Sequence, residues 1–87
     1  MTVYEKESIL FALGVIEKRI NGMKETITSI TNDARYGESV GENIATYATR
    51  LNGYMQERRG FCSALNILGL HVEWDGEHAI DIKEEQP

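Results

Sequence analysis

The residues best suited to chemistry lie near the C-terminus, where two histidines stand among carboxylates. His71 and His78 are the only histidines of the chain, and Glu73, Glu77 and Asp81 lie close to them in sequence. A zinc site needs three or four such ligands at a defined spacing, and two histidines without that spacing do not supply it. The favoured interpretation is a pairing of histidine with glutamate at the surface. We therefore expect no metal and no cofactor.

Cys62 is the single cysteine of the 87-residue chain. It could act as a nucleophile only beside a base that lowers its pKa, whereas its neighbours Phe61, Ser63 and Ala64 favour a small buried thiol. No glycine-rich phosphate loop, paired-carboxylate motif or Ser/His/Asp arrangement is present. We expect no catalytic residue and no enzymatic activity. A lone cysteine also forms no internal disulfide, which favours a reducing cytoplasm.

Arg58 occupies a position in an otherwise apolar helical stripe. A charge at such a position must be paired, extend to solvent or bind a ligand. In an antiparallel helix pair Arg58 falls near Leu13, with Glu17 one turn away, so an ion pair or an interface residue is the simpler interpretation. The alternative is an anion or nucleotide held between protomers by a strip of aromatic and basic side chains. That strip consists of Tyr47, Arg50, Tyr54, Arg58 and Arg59.

The net charge of −5 is concentrated at the C-terminal end. Residues 73–87 contain six acids and one base, which leaves residues 1–72 with eight of each. Direct binding of nucleic acid needs clustered Lys and Arg and is not expected, whereas an acidic end suits a protein partner with a basic surface. An exposed tryptophan would serve as the anchor of that contact. The candidate contact residues are Glu73, Trp74, Asp75, Glu77 and Asp81.

Two long helices must position these residues. Apolar residues alternate at spacings of four and three, which is the pattern of one helical stripe. They are Ile9, Leu13, Ile16, Ile20, Met23, Ile27 and Ile30. Thr2 and Glu5 have the form of a capping box, so we predict helix 1 over 3–31, with Gly22 as the place where it would bend or break.

A second stripe with the same spacing predicts helix 2 over 40–68. Its members are Val40, Ile44, Tyr47, Leu51, Tyr54, Arg58, Phe61, Leu65 and Leu68. Ser39 and Glu42 repeat the capping box, and Gly69 suits a left-handed cap at the other end. The short turn over 32–39 makes the two helices antiparallel neighbours in an αα-hairpin.

Alternation of apolar and polar residues around Asp75-Gly76 predicts a β-hairpin over 70–82, followed by a tail over 83–87. A three-residue loop of Trp74, Asp75 and Gly76, with Gly76 left-handed, separates the two faces best. The apolar face then holds Leu70, Val72, His78, Ile80 and Ile82. The other face holds His71, Glu73, Glu77, Ala79 and Asp81. Because a two-stranded ribbon is marginal alone, its apolar face should pack on the open end of the helices or extend a ribbon from a second chain.

The helices carry more apolar surface than one hairpin can hide. A further stripe of Leu10, Ala48, Met55 and Cys62 flanks the two main stripes. A chain of this length buries only about 60–65% of the surface that its unfolded form exposes, so a second copy would help to stabilise it. We therefore expect a mainly α single domain over 1–87 that forms a homodimeric four-helix bundle.

The leading functional hypothesis is a small, non-enzymatic, homodimeric helical module that binds another protein. The length, the lack of enzyme motifs and the acidic end also resemble, in a general way, small proteins of phages and mobile elements. Together with the acidic charge of residues 73–87, this resemblance gives an alternative: an acidic inhibitor of a host nucleic-acid-binding enzyme, of nuclease or anti-CRISPR type, that uses the C-terminal ribbon. A small-ligand or nucleotide binder at Tyr54 and Arg58 is the third hypothesis. No apolar run approaches the roughly 20 residues that cross a bilayer, so we expect no membrane contact.

Overall fold

A computed structural model describes residues 1–32 and 39–85, without the side chains of 39–42. Two helices are followed by two strands: α1 at Val3–Asn32, α2 at Ser39–Ile67, β1 at Leu70–Asp75 and β2 at His78–Glu84. The predicted order of elements is confirmed, and each helix end lies within one residue of its predicted position. β2 continues beyond the expected strand end at 82, into the stretch that was predicted to be a tail.

Local signals explain where the helices begin and end. The backbone N–H of Glu5 donates to Thr2 Oγ1 at 3.1 Å, which confirms the N-terminal cap. The Glu5 carboxylate meets the Thr2 hydroxyl at 3.2 Å, in place of the backbone N–H used by a full capping box. α1 runs unbroken through Gly22, and Gly69 is left-handed with φ +77° as its capping role requires. The second capping box, at 39–42, involves side chains outside the described part of the chain.

The two strands pair antiparallel in a register that differs from the predicted one. Asp75 pairs with His78, so the turn residues are Gly76 and Glu77. Gly76 has φ +63° and Glu77 a negative φ, the pattern of a type II′ hairpin turn. The predicted three-residue loop over 74–76 is therefore wrong, although its left-handed glycine is confirmed.

A β-bulge reverses three of the predicted orientations, those of His78, Ala79 and Ile80. Glu73 pairs with Asp81 and Trp74 pairs with Ala79, which leaves Ile80 as the extra residue of β2. Ala79 is consequently buried and Ile80 is 52% exposed. Both were expected on the opposite faces, because strict alternation takes no account of an inserted residue.

The core lies where the ribbon of β1 and β2 covers the helix pair. Its centre is formed by Leu13, Ala79 and Ile82. The half-buried residues around this centre are Ile9, Leu10, Phe61, Cys62, Leu70 and Val72. The apolar side of the ribbon therefore packs on the open end of the helices, as expected, except that His78 is exposed and takes no part. Leu10 and Cys62, which were assigned to a partner-facing stripe, are used in this core instead.

Candidate functional site

Three of the four carboxylates of the predicted acidic contact surface already have cationic partners within the chain. Lysines from α1 supply two of these partners and β2 supplies the third. The pairs are Lys6 with Asp81 at 3.0 Å, Lys24 with Glu77 at 3.2 Å and Lys83 with Glu73 at 3.0 Å.

The pairs made by Lys6 and Lys24 connect the ribbon to α1, and the pair of Lys83 with Glu73 connects β2 to β1. All three reduce the charge that the ribbon could offer to a basic partner. Each pair is exposed to solvent, so it stabilises the fold only weakly. Among the predicted acidic contact residues, only Asp75 at the turn forms no ion pair with a described residue. In the acidic-inhibitor hypothesis, these carboxylates would therefore have to leave their lysine partners in order to bind the basic residues of another protein.

Asp81 makes the ribbon contact sensitive to acid. The Lys6 ammonium, with the backbone N–H of Ile82, holds the pKa of Asp81 below its ordinary value of 3.8. Since the folded pKa is the lower one, ionised Asp81 stabilises the fold above that ordinary value. The contribution is lost as pH falls through the folded pKa.

We therefore expect Asp81→Asn to lower the midpoint of thermal unfolding at neutral pH, with the difference from wild type shrinking as the pH falls below about 4. Unfolding followed by circular dichroism over a pH series measures this. Asp75→Asn serves as the control, because Asp75 forms no ion pair with a described residue. Equal behaviour of the two variants would contradict a role for the contact between Asp81 and Lys6.

Trp74 is 41% exposed and lies against α2. The Arg58 guanidinium carbon is 5.9 Å from the centre of the Trp74 ring, within the range of a cation–π contact. Arg58, Trp74, Gly76 and Glu77 line a shallow pocket of about 270 Å³. Of the two simpler interpretations of Arg58, an ion pair with Glu17 is not formed, since Glu17 lies 2.9 Å from His78 Nδ1. The other, an interface residue, stays a prediction.

The predicted aromatic and basic strip is divided between two separate contacts. The Arg50 guanidinium carbon lies 5.8 Å from the ring centre of Tyr47, at a distance along α2 from the contact between Arg58 and Trp74. Tyr54 is half-buried between these two sites and Arg59 is exposed. The two cation–π contacts of the strip therefore lie at different places along α2.

Cys62 is half-buried, whereas both histidines lie at the surface. Burial raises the pKa of the Cys62 thiol, and the nearby charge of Arg58 only partly opposes this. A raised pKa keeps the sulfur protonated and weakly nucleophilic at neutral pH. His71 and His78 are both exposed. In the described ranges, no cluster of three or more His, Cys, Asp or Glu side chains could hold a metal ion.

An exposed apolar surface that we did not predict lies where α1 begins and α2 ends. We call it the open-end surface and define it by five large apolar residues that are each at least 73% exposed. They are Val3, Tyr4, Phe11, Ile67 and Leu68, with exposures of 73%, 79%, 75%, 86% and 73%. The signal was present in the sequence, because the segments 9–13 and 61–68 are apolar on more than one side. One two-stranded ribbon covers only one of those sides.

A groove of about 600 Å³ lies within the open-end surface. Buried or half-buried Ile9 and Leu65 contribute to its walls, and the rim carries the exposed side chains of Tyr4 and Leu68. Its remaining lining residues are Met1, Glu5, Ser8 and Leu70. The Met1 ammonium forms an ion pair with the Glu84 carboxylate, which fixes one edge of the groove. The surface thus combines protruding side chains with a concave apolar wall.

A smaller hollow of about 320 Å³ lies on the outer side of α1. Tyr4, Glu7, Ser8 and Phe11 line it. Two aromatic rings that are three-quarters exposed therefore flank a short polar stretch of the helix. This hollow continues the open-end surface around α1, away from the ribbon.

In the part of the chain that the structure describes, neither helix has a stretch long and apolar enough to cross a membrane. Comparisons with family models, curated proteins and solved structures return no match, so the function is inferred from the chain's own surfaces.

Proposed function

We propose that this protein is a non-enzymatic interaction module that forms homodimers and binds another protein through the open-end surface. The observation that carries the proposal is the set of five large apolar side chains, each at least 73% exposed, of which Tyr4 and Leu68 line an apolar groove. Burial of such side chains is favourable by about 25 cal/mol for each Å² removed from water. Contiguous exposed apolar patches are typical of protein-binding sites, and aromatic side chains are frequent anchors in them.

The small size of the core also supports the proposal. In the described chain only six hydrophobic residues are buried, namely Leu13, Ile16, Ile20, Leu65, Ala79 and Ile82. A domain with so few buried side chains has a low free energy of unfolding. A partner that binds the folded chain adds to that free energy by mass action.

The experiment replaces Ile67 and Leu68 together by serine and compares the variant with wild type. Partner binding is measured by quantitative affinity capture from the source cells, and self-association is measured by sedimentation equilibrium against the monomer mass of 9.8 kDa. We expect wild type to reach twice that mass and to capture a defined protein. The double variant should lose at least about tenfold in affinity for that protein, because two exposed apolar contacts are removed.

Ile80→Ser is the matched control, because Ile80 is an exposed apolar residue on the ribbon, away from the open-end surface. It should leave both measurements unchanged. A wild-type chain that stays monomeric at every concentration, and whose captured proteins do not depend on Ile67 and Leu68, would overturn the proposal.

A further inference from the structure

Opposite its buried stripe, α1 carries a second line of residues with the same spacing of four and three. We call it the outer line, and its members are Tyr4, Ser8, Phe11, Val15, Lys18 and Gly22. All of them are exposed except Val15, which is half-buried. Spacing of this kind keeps side chains on one side of a helix over about five turns. The outer line is therefore a continuous helix face on which five of the six residues are exposed.

We propose that the outer line packs antiparallel against the outer line of a second copy of this chain, with a two-fold axis between Phe11 and Val15. The inference rests on the proposed function, since Tyr4 and Phe11 belong to the open-end surface, and it names a second copy as the occupant of this part of it. In this arrangement Phe11 of each copy lies against Val15 of the other. Tyr4 of each copy lies over Gly22 of the other.

The sizes of these residues match under the two-fold operation. A Cβ placed on Gly22 meets no atom within 4 Å, so nothing in the described chain requires a glycine there. Glycine inside a helix costs about 1 kcal/mol relative to alanine. The ring of Tyr4, which is 79% exposed, finds space over this residue in the second copy. The large side chain of Tyr4 at one end of the outer line thus meets the small residue Gly22 at the other end, as a self-complementary interface requires.

Two charged residues match in the same way, namely Lys18 in the outer line and Glu7 beside it. Glu7 and Lys18 are exposed, and neither forms an ion pair with a described residue. They are eleven residues apart, which is about three helical turns, so both lie on the same flank of α1. Antiparallel pairing about the proposed axis brings Glu7 of each copy beside Lys18 of the other, which forms two equivalent ion pairs. This charge complementarity favours a second copy over an unrelated partner.

The test exchanges these charges and measures the dimer dissociation constant by sedimentation equilibrium. Glu7→Lys alone and Lys18→Glu alone each place like charges opposite each other twice, so each should weaken the dimer about tenfold. The double variant Glu7→Lys/Lys18→Glu restores opposite charges and should recover wild-type affinity. An equimolar mixture of the two single variants should form a heterodimer that is tighter than either homodimer. Both positions are exposed, so the fold itself should tolerate all three variants.

Asp75→Lys at the ribbon turn is the control, because it makes the same change in net charge as Glu7→Lys but far from the outer line. It should leave the dissociation constant unchanged. A dimer that is insensitive to the single substitutions, or that the double variant does not restore, would overturn this arrangement and leave homodimerisation standing. A wild-type chain that never dimerises would overturn this arrangement together with the homodimer of the proposed function.

Discussion

Ile82→Ala is expected to lower the free energy of unfolding by about 2–5 kcal/mol. Ile82 is 1% exposed and packs with Leu13 and Ala79 at the centre of the core. Shortening this side chain removes apolar contacts and leaves a cavity that the two helices and the ribbon can close only in part. Urea denaturation measures the loss, with both proteins at the same concentration so that self-association is compared under equal conditions.

Ile80→Ala is the matched control for this experiment. Ile80 lies two residues away on the same strand, but the bulge turns it outward and leaves it 52% exposed. The same change of side chain should therefore shift the free energy of unfolding by no more than about 0.5 kcal/mol. Under the register predicted from alternation alone, both isoleucines face the core and both losses are large. Equal losses would thus contradict the bulge.

Deletion of the ribbon, residues 70–87, is expected to abolish cooperative unfolding. The truncated chain loses Ala79 and Ile82 from the core cluster and exposes Leu13, which is 1% accessible in the intact chain. The remaining helix pair keeps few buried residues with which to offset the conformational entropy of about 1–2 kcal/mol for each ordered residue. Far-UV circular dichroism during heating should show a broad, shallow loss of helix.

The control for the deletion is His71→Ser in the full-length chain, which alters an exposed residue of the ribbon. It should retain a single sharp transition near that of wild type. A truncated chain that unfolds sharply at the wild-type midpoint would show instead that the two helices stabilise each other without the ribbon.

The helices could be predicted because their signals are local. Spacings of four and three depend only on positions along one helix, and the cap at Thr2 depends on a contact three residues away. The left-handed glycines at 69 and 76 were likewise predictable, since few other residue types adopt a positive φ. Such features need no knowledge of which other segments lie nearby.

The candidate site was much less predictable, because its properties depend on contacts between distant parts of the chain. The acidic composition of the ribbon was evident, but its neutralisation was not, since Lys24 and Glu77 are 53 residues apart. The same holds for Arg58, whose contact with Trp74 depends on how β1 lies on α2. Charge and residue type are visible in a sequence, whereas the partner of each charge is not.

The sequence by itself determined that two antiparallel helices precede a β-hairpin, because periodicity, caps and turn residues act over a few positions. Tertiary structure decided the strand register, since the bulge at Ile80 allows both Ala79 and Ile82 to be buried against the helices. It also decided which apolar residues remain exposed, because the ribbon covers one side of the open end and leaves Tyr4, Phe11 and Leu68 in solvent. Burial is a property of the assembled elements, and so the surface available to a partner emerges only when they are packed together.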